Sequence, residues 1–410
     1  MRHPRSLLLA LGAGAMVATV PACDGGSRNA AVVSDSAGVR LIANRATDGW
    51  PGGAPWTARL DLSIGADSGG EAYNFGRIGD LTVTPSGGIV VIDQLAGTVR
   101  VFDSSGTFVR AVGRPGRGPG ELSRSANGVF ALAGDTLLVA DPGERRLTKF
   151  APDGSVAATM SLPPAPTGQG WSRREDGSYL MRGLTISRVD GKFAFWDALL
   201  SVSTDGASSD TLFEFDYAKT DLGGPGTLRI QLLVNNPSWA HLPDGRIAWT
   251  ALDRDYVALH DSTGALVARI SHAAWTSRQV TPADKAAMVE LLRAKLRMIG
   301  GDASFADSPQ VEAPELFPAI TAVRAGPDGT TWVQQMGPVE TIDPMALNAP
   351  DRADFLGGST WHVLDRDGVF LGAIEMPPRF RIFRIMDDAI YGAGRDEDGV
   401  ERIVRLRLNR

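Results

Sequence analysis

Cysteine is almost missing from this chain. Its 410 residues include one, Cys23, so no internal disulfide can form and the core must hold the fold unaided. Histidine is also scarce. His3, His241, His260, His272 and His362 are the five, and none is paired at metal-ligand spacing. There is no basic surplus: 41 Lys and Arg stand against 47 Asp and Glu, for a net charge of −6, which argues against nucleic-acid binding. The apolar run of the first twenty residues, Ser6 to Val20, is too short to be a comfortable membrane span. The glycine-rich stretch Gly113–Leu122, GRPGRGPGEL, lacks the Lys-Ser/Thr of a phosphate-binding loop, and Glu121 stands where a dinucleotide fingerprint needs its third glycine. No Gly-x-Ser-x-Gly elbow occurs. Asp365-x-Asp367-Gly and Asp396-x-Asp398-Gly hint at calcium loops. They lack the further acidic ligands, and so read as hairpin turns.

The N-terminus has a separate purpose. Arg2 and Arg5 precede an apolar run from Ser6 to Val20, and Val20-Pro-Ala-Cys23 follows. This resembles a bacterial lipoprotein signal, which implies lipidation of Cys23 and a membrane anchor through that lipid. Val20-x-Ala22 equally fits an ordinary signal peptide cut after Ala22. In either case residues 1–22 are a signal peptide and the mature chain is exported, to the envelope or to a soluble periplasmic or secreted state. Residues 23–55 read as a lipidated N-terminus, tether and hairpin, and 56–410 as the folded domain, expected as a monomer.

Turn-forming residues are plentiful, with 48 Gly and 25 Pro. They recur with a period. Leu81 falls on Val129, Asp93 on Asp141, Phe102 on Phe150 and Gly106 on Gly154, a repeat of about 48 residues. A second offset sets Pro85 on Pro243 and Asp103-Ser-Ser-Gly on Asp261-Ser-Thr-Gly. Within each unit, short Val/Ile/Phe-rich runs such as IVVID and VRVF are split by Asp-Gly turns, the pattern of antiparallel strands and hairpins. Four short strands per repeat make a propeller blade. Six inner strands are expected near Asp80, Asn127, Trp171, Ser238, Ile320 and Phe380. The fold class is all-β: a six-bladed β-propeller of four-stranded blades. The last blade offers only three strands, so ARLDLSIG (58–65) is expected to complete it and close the ring. The hairpin sequence at 32–44 has no evident place.

GRPGRGPGEL, VVID or LVAD, and VRVFDSSGTFVRAVG together resemble the NHL repeat. The whole chain is similar to the six-bladed propeller lipoproteins of bacterial envelopes. That resemblance implies the same fold and little assigned chemistry.

The Asp-Gly turns join first to second and third to fourth strands, which places them on one face of a propeller. The long segments fall on the other face: 113–126, 182–195, 216–236, 271–318 and 337–358. Binding is expected there, because loops carry function on rigid scaffolds. One helical insertion is expected at about 275–305. Thr281 is its N-cap, Pro282 its first helical residue, and Met288, Leu291, Leu292, Leu296 and Ile299 its apolar side. Residues that begin the inner strands crowd the mouth of the central channel: Arg77, Asp80, Arg124, Asn127, Trp171, Asn236, Trp239, Arg324 and Arg381, with Asn235, Arg379, Arg114 and Arg117 nearby. Arginines among Asn and Trp suit an anionic or sugar-like ligand. The leading expectation is an envelope-anchored binding or scaffolding module for a protein, glycan or small anionic ligand. The alternative is a lactonase-like hydrolase or lyase at the channel mouth. Asp80, Asn127 and Asn236 would supply part of a calcium site there. No other cofactor is indicated, and His241, His260 and His362 read as structural.

Overall fold

The computed structural model describes residues 31–45, 49–50, 53–66, 69–162, 169–189, 192–219, 229–347, 356–395 and 399–410. Cys23, the signal segment and the Asp396–Asp398 turn lie outside them. Six sheets form the blades, five antiparallel and one with an added parallel strand, and the chain is a six-bladed β-propeller. Their inner strands are Ile78–Val83, Gly128–Ala131, Gln169–Arg173, Ser238–His241, Ile320–Ala325 and Arg381–Ile385, close to the expected positions.

The apolar runs follow from where the core lies. It is divided into clusters between neighbouring blades. In Ile89–Asp93, the second strand of blade 1, Ile89 and Val91 enter the cluster shared with blade 6, while Val90 and Ile92 enter the one shared with blade 2. Leu137–Asp141 in blade 2 repeats the arrangement toward blades 1 and 3. A strand buried on both faces has no polar side, so it reads as a continuous hydrophobic run. Polar residues return at the turns. Asp103 Oδ1 accepts from the N–H groups of Ser105 and Thr107, both at 2.9 Å, and Gly106 takes the left-handed conformation at φ 87°. Asp261 and Asp365 repeat this turn in blades 4 and 5. The Asp365 turn is thus a hairpin device.

The N-terminus closes the ring. Thr57–Ile64 is the outer strand of blade 6, antiparallel to Glu401–Asn409. Preceding residues strap the outside of the molecule. Val32–Ser36 and Val39–Asn44 form a hairpin, and Val39–Asn44 pairs in parallel with Leu266–His272, making blade 4 six-stranded. Asn44 then clips blade 5: its Oδ1 accepts from Phe370 N at 2.8 Å and its Nδ2 donates to Gly368 O at 3.0 Å. Trp50 N donates to Leu371 O, and Trp50 stacks on Trp56, which adjoins Trp332 of blade 5.

Two expectations need correction. Residues 182–195 are not a loop on the binding face. They continue a long hairpin, Tyr179–Val189 with Lys192–Val202, each strand 11 residues long. The helix α1 (Pro282–Met298) has the expected capping box of Thr281 and Asp284. Its stripe is shorter than expected, however. Met288 and Leu292 are buried with Leu232, Phe317 and Ile342 in a cluster over blades 4 and 5, whereas Ile299 is 56% exposed just past the last turn. Among the described residues, no helix is long and apolar enough to cross a membrane.

The junction of blades 4 and 5 buries titratable groups. The rings of His272 and His362 meet at 4.6 Å, and Trp275 Nε1 donates to His362 Nδ1 at 3.1 Å. Burial, and then the nearby His272, push the His362 imidazole down to about 4. An unfolded histidine titrates near 6.5. Between these values the unfolded chain binds a proton that the folded chain refuses, so stability is full above about pH 6.5 and falls with pH toward 4. At pH 5 the expected loss from this group is about 2 kcal/mol. Urea unfolding at pH 7 and pH 5 measures it. His362→Gln should flatten the decline, and an unchanged decline would show that His362 is not its source.

Candidate functional site

Inner strands of a propeller run parallel from the connector face to the turn face, so a residue's position in its strand gives its depth in the axial channel. The channel encloses about 940 Å³. Among the described residues, seven arginines line it (Arg77, Arg124, Arg173, Arg182, Arg324, Arg381 and Arg384) against two carboxylates, Asp80 and Glu175, with Asp197 behind the wall pairing Arg182. In a chain of net charge −6 this is a marked concentration of positive charge. It is graded along the axis. Arg77, Arg124 and Arg381 stand at or just before the beginnings of inner strands, with Arg182 beside Asn236, so all four belong to the connector-side mouth. Asp80 is deeper, at the third residue of its strand, and Glu175 lies beyond the last residue of the blade 3 inner strand.

The channel wall is stitched blade to blade. Asp80 Oδ2 accepts from Val129 N of blade 2 at 2.9 Å. Asn127 Oδ1 accepts from Trp171 Nε1 at 2.9 Å, joining blades 2 and 3. Ser172 Oγ lies 2.9 Å from His241 Nδ1, joining 3 and 4. Ser238 Oγ accepts from Val323 N at 3.0 Å, and Arg324 Nε donates to Ile382 O at 2.9 Å. Arg384 Nη2 reaches the Asp80 carboxylate at 3.3 Å, completing the circuit from blade 6 to blade 1. Six junctions are therefore bridged by polar contacts at the wall.

One charged group at the mouth is held with particular firmness. Arg182 donates to both Asp197 oxygens, at 2.8 and 2.6 Å, and to Asn236 Oδ1 at 2.5 Å. The Arg182 and Asp197 side chains are 3% and 0% exposed. Tyr217 donates its hydroxyl to Asp197 at 2.6 Å. Burial, followed by the negative charge of Asp197, pushes the Tyr217 phenol well above its ordinary range. Lys219 Nζ sits 3.4 Å from the Tyr217 ring centroid, and burial lowers its pKa. The network positions one guanidinium rigidly on the channel and pins the segment after blade 3 over that blade.

All nine residues expected at the mouth line this cavity: Arg77, Asp80, Arg124, Asn127, Trp171, Asn236, Trp239, Arg324 and Arg381. They are not all at the mouth. Arg324, fifth of six residues in its strand, lies toward the far end, and Asp80 lies between. Asn235 and Arg379 do not line the cavity. Asn235 instead ties Leu252 N and Ala218 O at 2.8 Å each. Of the arginines in and after GRPGRGPGEL, Arg124 reaches the channel, while Arg114 pairs with Glu121 at 3.0 Å and Arg117 with Glu144 at 3.1 Å on the surface. Glu121 also accepts from Gly118 N at 2.7 Å, so the loop folds on its own carboxylate and presents no anion cradle.

The trio suggested for calcium is badly suited to a cation. Asp80 accepts from two backbone N–H groups, Leu81 at 2.8 Å and Val129 at 2.9 Å, and faces Arg384. Asn127 Oδ1 accepts from an indole, and Asn236 Oδ1 from a guanidinium. Calcium takes six to eight oxygen ligands, with carboxylates supplying the charge, and the one carboxylate of this trio is already engaged. Among the described residues no group of three or more His, Cys, Asp or Glu is placed to hold a metal ion.

Sequence reasoning missed Arg182, Ser172 and His241 as channel residues. It treated His241 as a structural strand residue together with His260 and His362. His260 does play that part, stacked 4.0 Å from Phe213 and bonded to Gly264 O. His362 is buried with Trp275. His241 is half-buried on the channel wall.

The family described as 6-bladed beta-propeller matches residues 70–165. No curated protein matches the chain. Among solved structures, the chain is similar to a Bacteroides fragilis protein described as exported, with 11% identity over 90% of this chain and 100% of that one and a TM-score of 0.48. It is similar to virginiamycin B lyase from Staphylococcus aureus, at 11% identity, 87% and 100% coverage and a TM-score of 0.44. It is also similar to the calcium-binding protein regucalcin from Agrobacterium tumefaciens, at 10% identity, 86% and 94% coverage and a TM-score of 0.44.

Proposed function

We propose that this propeller is a binding module of the cell envelope that takes a small carboxylated or phosphorylated ligand at the connector-side mouth of its channel. The observation that carries the reading is the grouping of Arg77, Arg124 and Arg381 at one end of a channel whose two lining carboxylates lie deeper or at the far end, while Arg182 beside them is neutralised by Asp197. A guanidinium offers a planar pair of N–H donors matched to carboxylate or phosphate, and its charge counts for more where water is partly excluded. The channel volume falls within the range of about 300–1,000 Å³ usual for small-ligand sites. The envelope location rests on the charged start, the apolar run and Cys23, which lie outside the described residues.

Calorimetry with citrate and with inorganic phosphate tests the reading, with glycerol as neutral control. Either anion should bind, more weakly as salt rises. Arg124→Ala and Arg77→Ala should each weaken binding by about 10- to 100-fold, the value of one charge-assisted hydrogen bond. Absence of binding by folded protein at millimolar anion, or equal binding by the Arg77→Ala/Arg124→Ala double variant, would defeat it.

A further inference from the structure

The far end of the channel carries a different chemistry. Ser172 is the fourth residue of the blade 3 inner strand, and His241 is the last residue of the blade 4 inner strand. Ser172 Oγ and His241 Nδ1 are 2.9 Å apart. Both side chains line the channel and both are half-buried, so the pair is packed yet open to a molecule in the cavity. The five other stitches in the wall end on a backbone group, an indole or a guanidinium–carboxylate pair. Only this one joins a hydroxyl to an imidazole, a nucleophile to a base.

We propose that Ser172 and His241 form a nucleophile–base dyad for acyl transfer, acting on small carboxylic esters that enter the channel from the turn face. The inference does not rest on anion binding at the opposite mouth.

The chemistry needs His241 neutral. Burial, and after it the charge of Arg174, lower its pKa below the ordinary imidazole value, against the smaller opposing effects of Asp244 and Glu175. With its proton on Nε2, His241 accepts the Ser172 hydroxyl at Nδ1. Ser172 Oγ then bonds to the ester carbonyl carbon while its proton passes to His241 Nδ1. The ester C–O bond breaks, and the leaving alcohol takes that proton. Water next attacks the acyl-serine, giving its proton to His241 and its hydroxyl to the acyl carbon. The carboxylic acid departs, and Ser172 recovers its proton. Arg173 adjoins Ser172 in sequence and Arg324 lines the same end of the channel, so positive charge is at hand for the oxyanion that forms at each addition.

A fluorophosphonate probe, applied to the whole folded protein and read by peptide mass spectrometry, tests the dyad. The expected result is one adduct, on Ser172, absent in Ser172→Ala and formed at least about 100-fold more slowly in His241→Gln, the usual share of a general base. Labelling of the wild-type protein should rise with pH to a plateau, with a midpoint below that of a free imidazole. Hydrolysis of p-nitrophenyl acetate should follow the same profile. The wild-type measurement decides the matter even if a variant fails to fold. No adduct on Ser172, or a labelling rate with no such titration, overturns the proposal. Equal labelling in folded His241→Gln leaves a surface serine with no base, and overturns it too. Loss of anion binding at the other mouth would leave this result untouched.

Discussion

A chain that begins at Glu71 is expected to lose its cooperative unfolding transition, whereas one that begins at Thr57 should keep it at a lowered Tm. The difference is one strand. Thr57–Ile64 pairs with Glu401–Asn409 through seven residues and is the outer strand of blade 6. Ile64 is 1% exposed in the cluster between blades 6 and 1, and Ala58 packs on the cluster between blades 5 and 6. Its loss uncovers both clusters and leaves a long unpaired edge, inviting aggregation. Domains are stable by only about 5–15 kcal/mol, and Ile64→Ala alone should cost about 2–5 of these. Leu60, 67% exposed on the same strand, is the control, and Leu60→Ala should change stability by less than about 0.5 kcal/mol. The Thr57 chain loses the hairpin on blade 4, the Asn44 clip, Trp50 and Trp56, but the ring remains closed. Urea unfolding followed by circular dichroism and tryptophan fluorescence would separate the two. A cooperative transition in the Glu71 chain would show that ring closure does not depend on this strand.

The blades were legible for the reason the core is divided as it is. Strands buried on both faces, such as Ile89–Asp93 and Leu137–Asp141, must be continuously apolar, and their turns must admit left-handed residues, so both signals repeat with the blade. Depth in the channel follows from that period, which is why nine residues could be assigned to the channel from their place on or just before the inner strands. What escaped notice depends on contacts far apart in sequence. The 32–44 hairpin is fixed to blade 4 by parallel pairing and to blade 5 by Asn44, which bonds to Gly368 and Phe370 across most of the chain. Nothing in VRLIAN announces such a partner. Ser172 and His241 are 69 positions apart and meet only because adjoining inner strands face one channel. Arg182 sits on a second strand, outside the set that strand starts can reveal. Residues 182–195 read as one of the long segments of the loop-rich face, but cross-strand pairing carries the hairpin through them.

Arg182→Met is expected to destabilise the fold by about 3–5 kcal/mol, the usual cost of stranding one member of a buried ion pair. Met matches the volume of the arginine stem, so a cavity contributes little. What remains is Asp197, 2% exposed, retaining the Tyr217 hydroxyl at 2.6 Å as partner while Asn236 also loses its donor. A second variant isolates the charge. Arg182→Met/Asp197→Leu should recover most of the loss, because the pair is then replaced by apolar packing rather than broken. The recovered protein keeps Arg77, Arg124 and Arg381 and loses only a neutral buried pair, so citrate should bind it about as well as it binds wild type. A single variant that costs less than about 1 kcal/mol, or a double variant no more stable than the single, would mean that water or a neighbouring group already serves the Asp197 carboxylate, and that the guanidinium is held on the channel by something other than this pair.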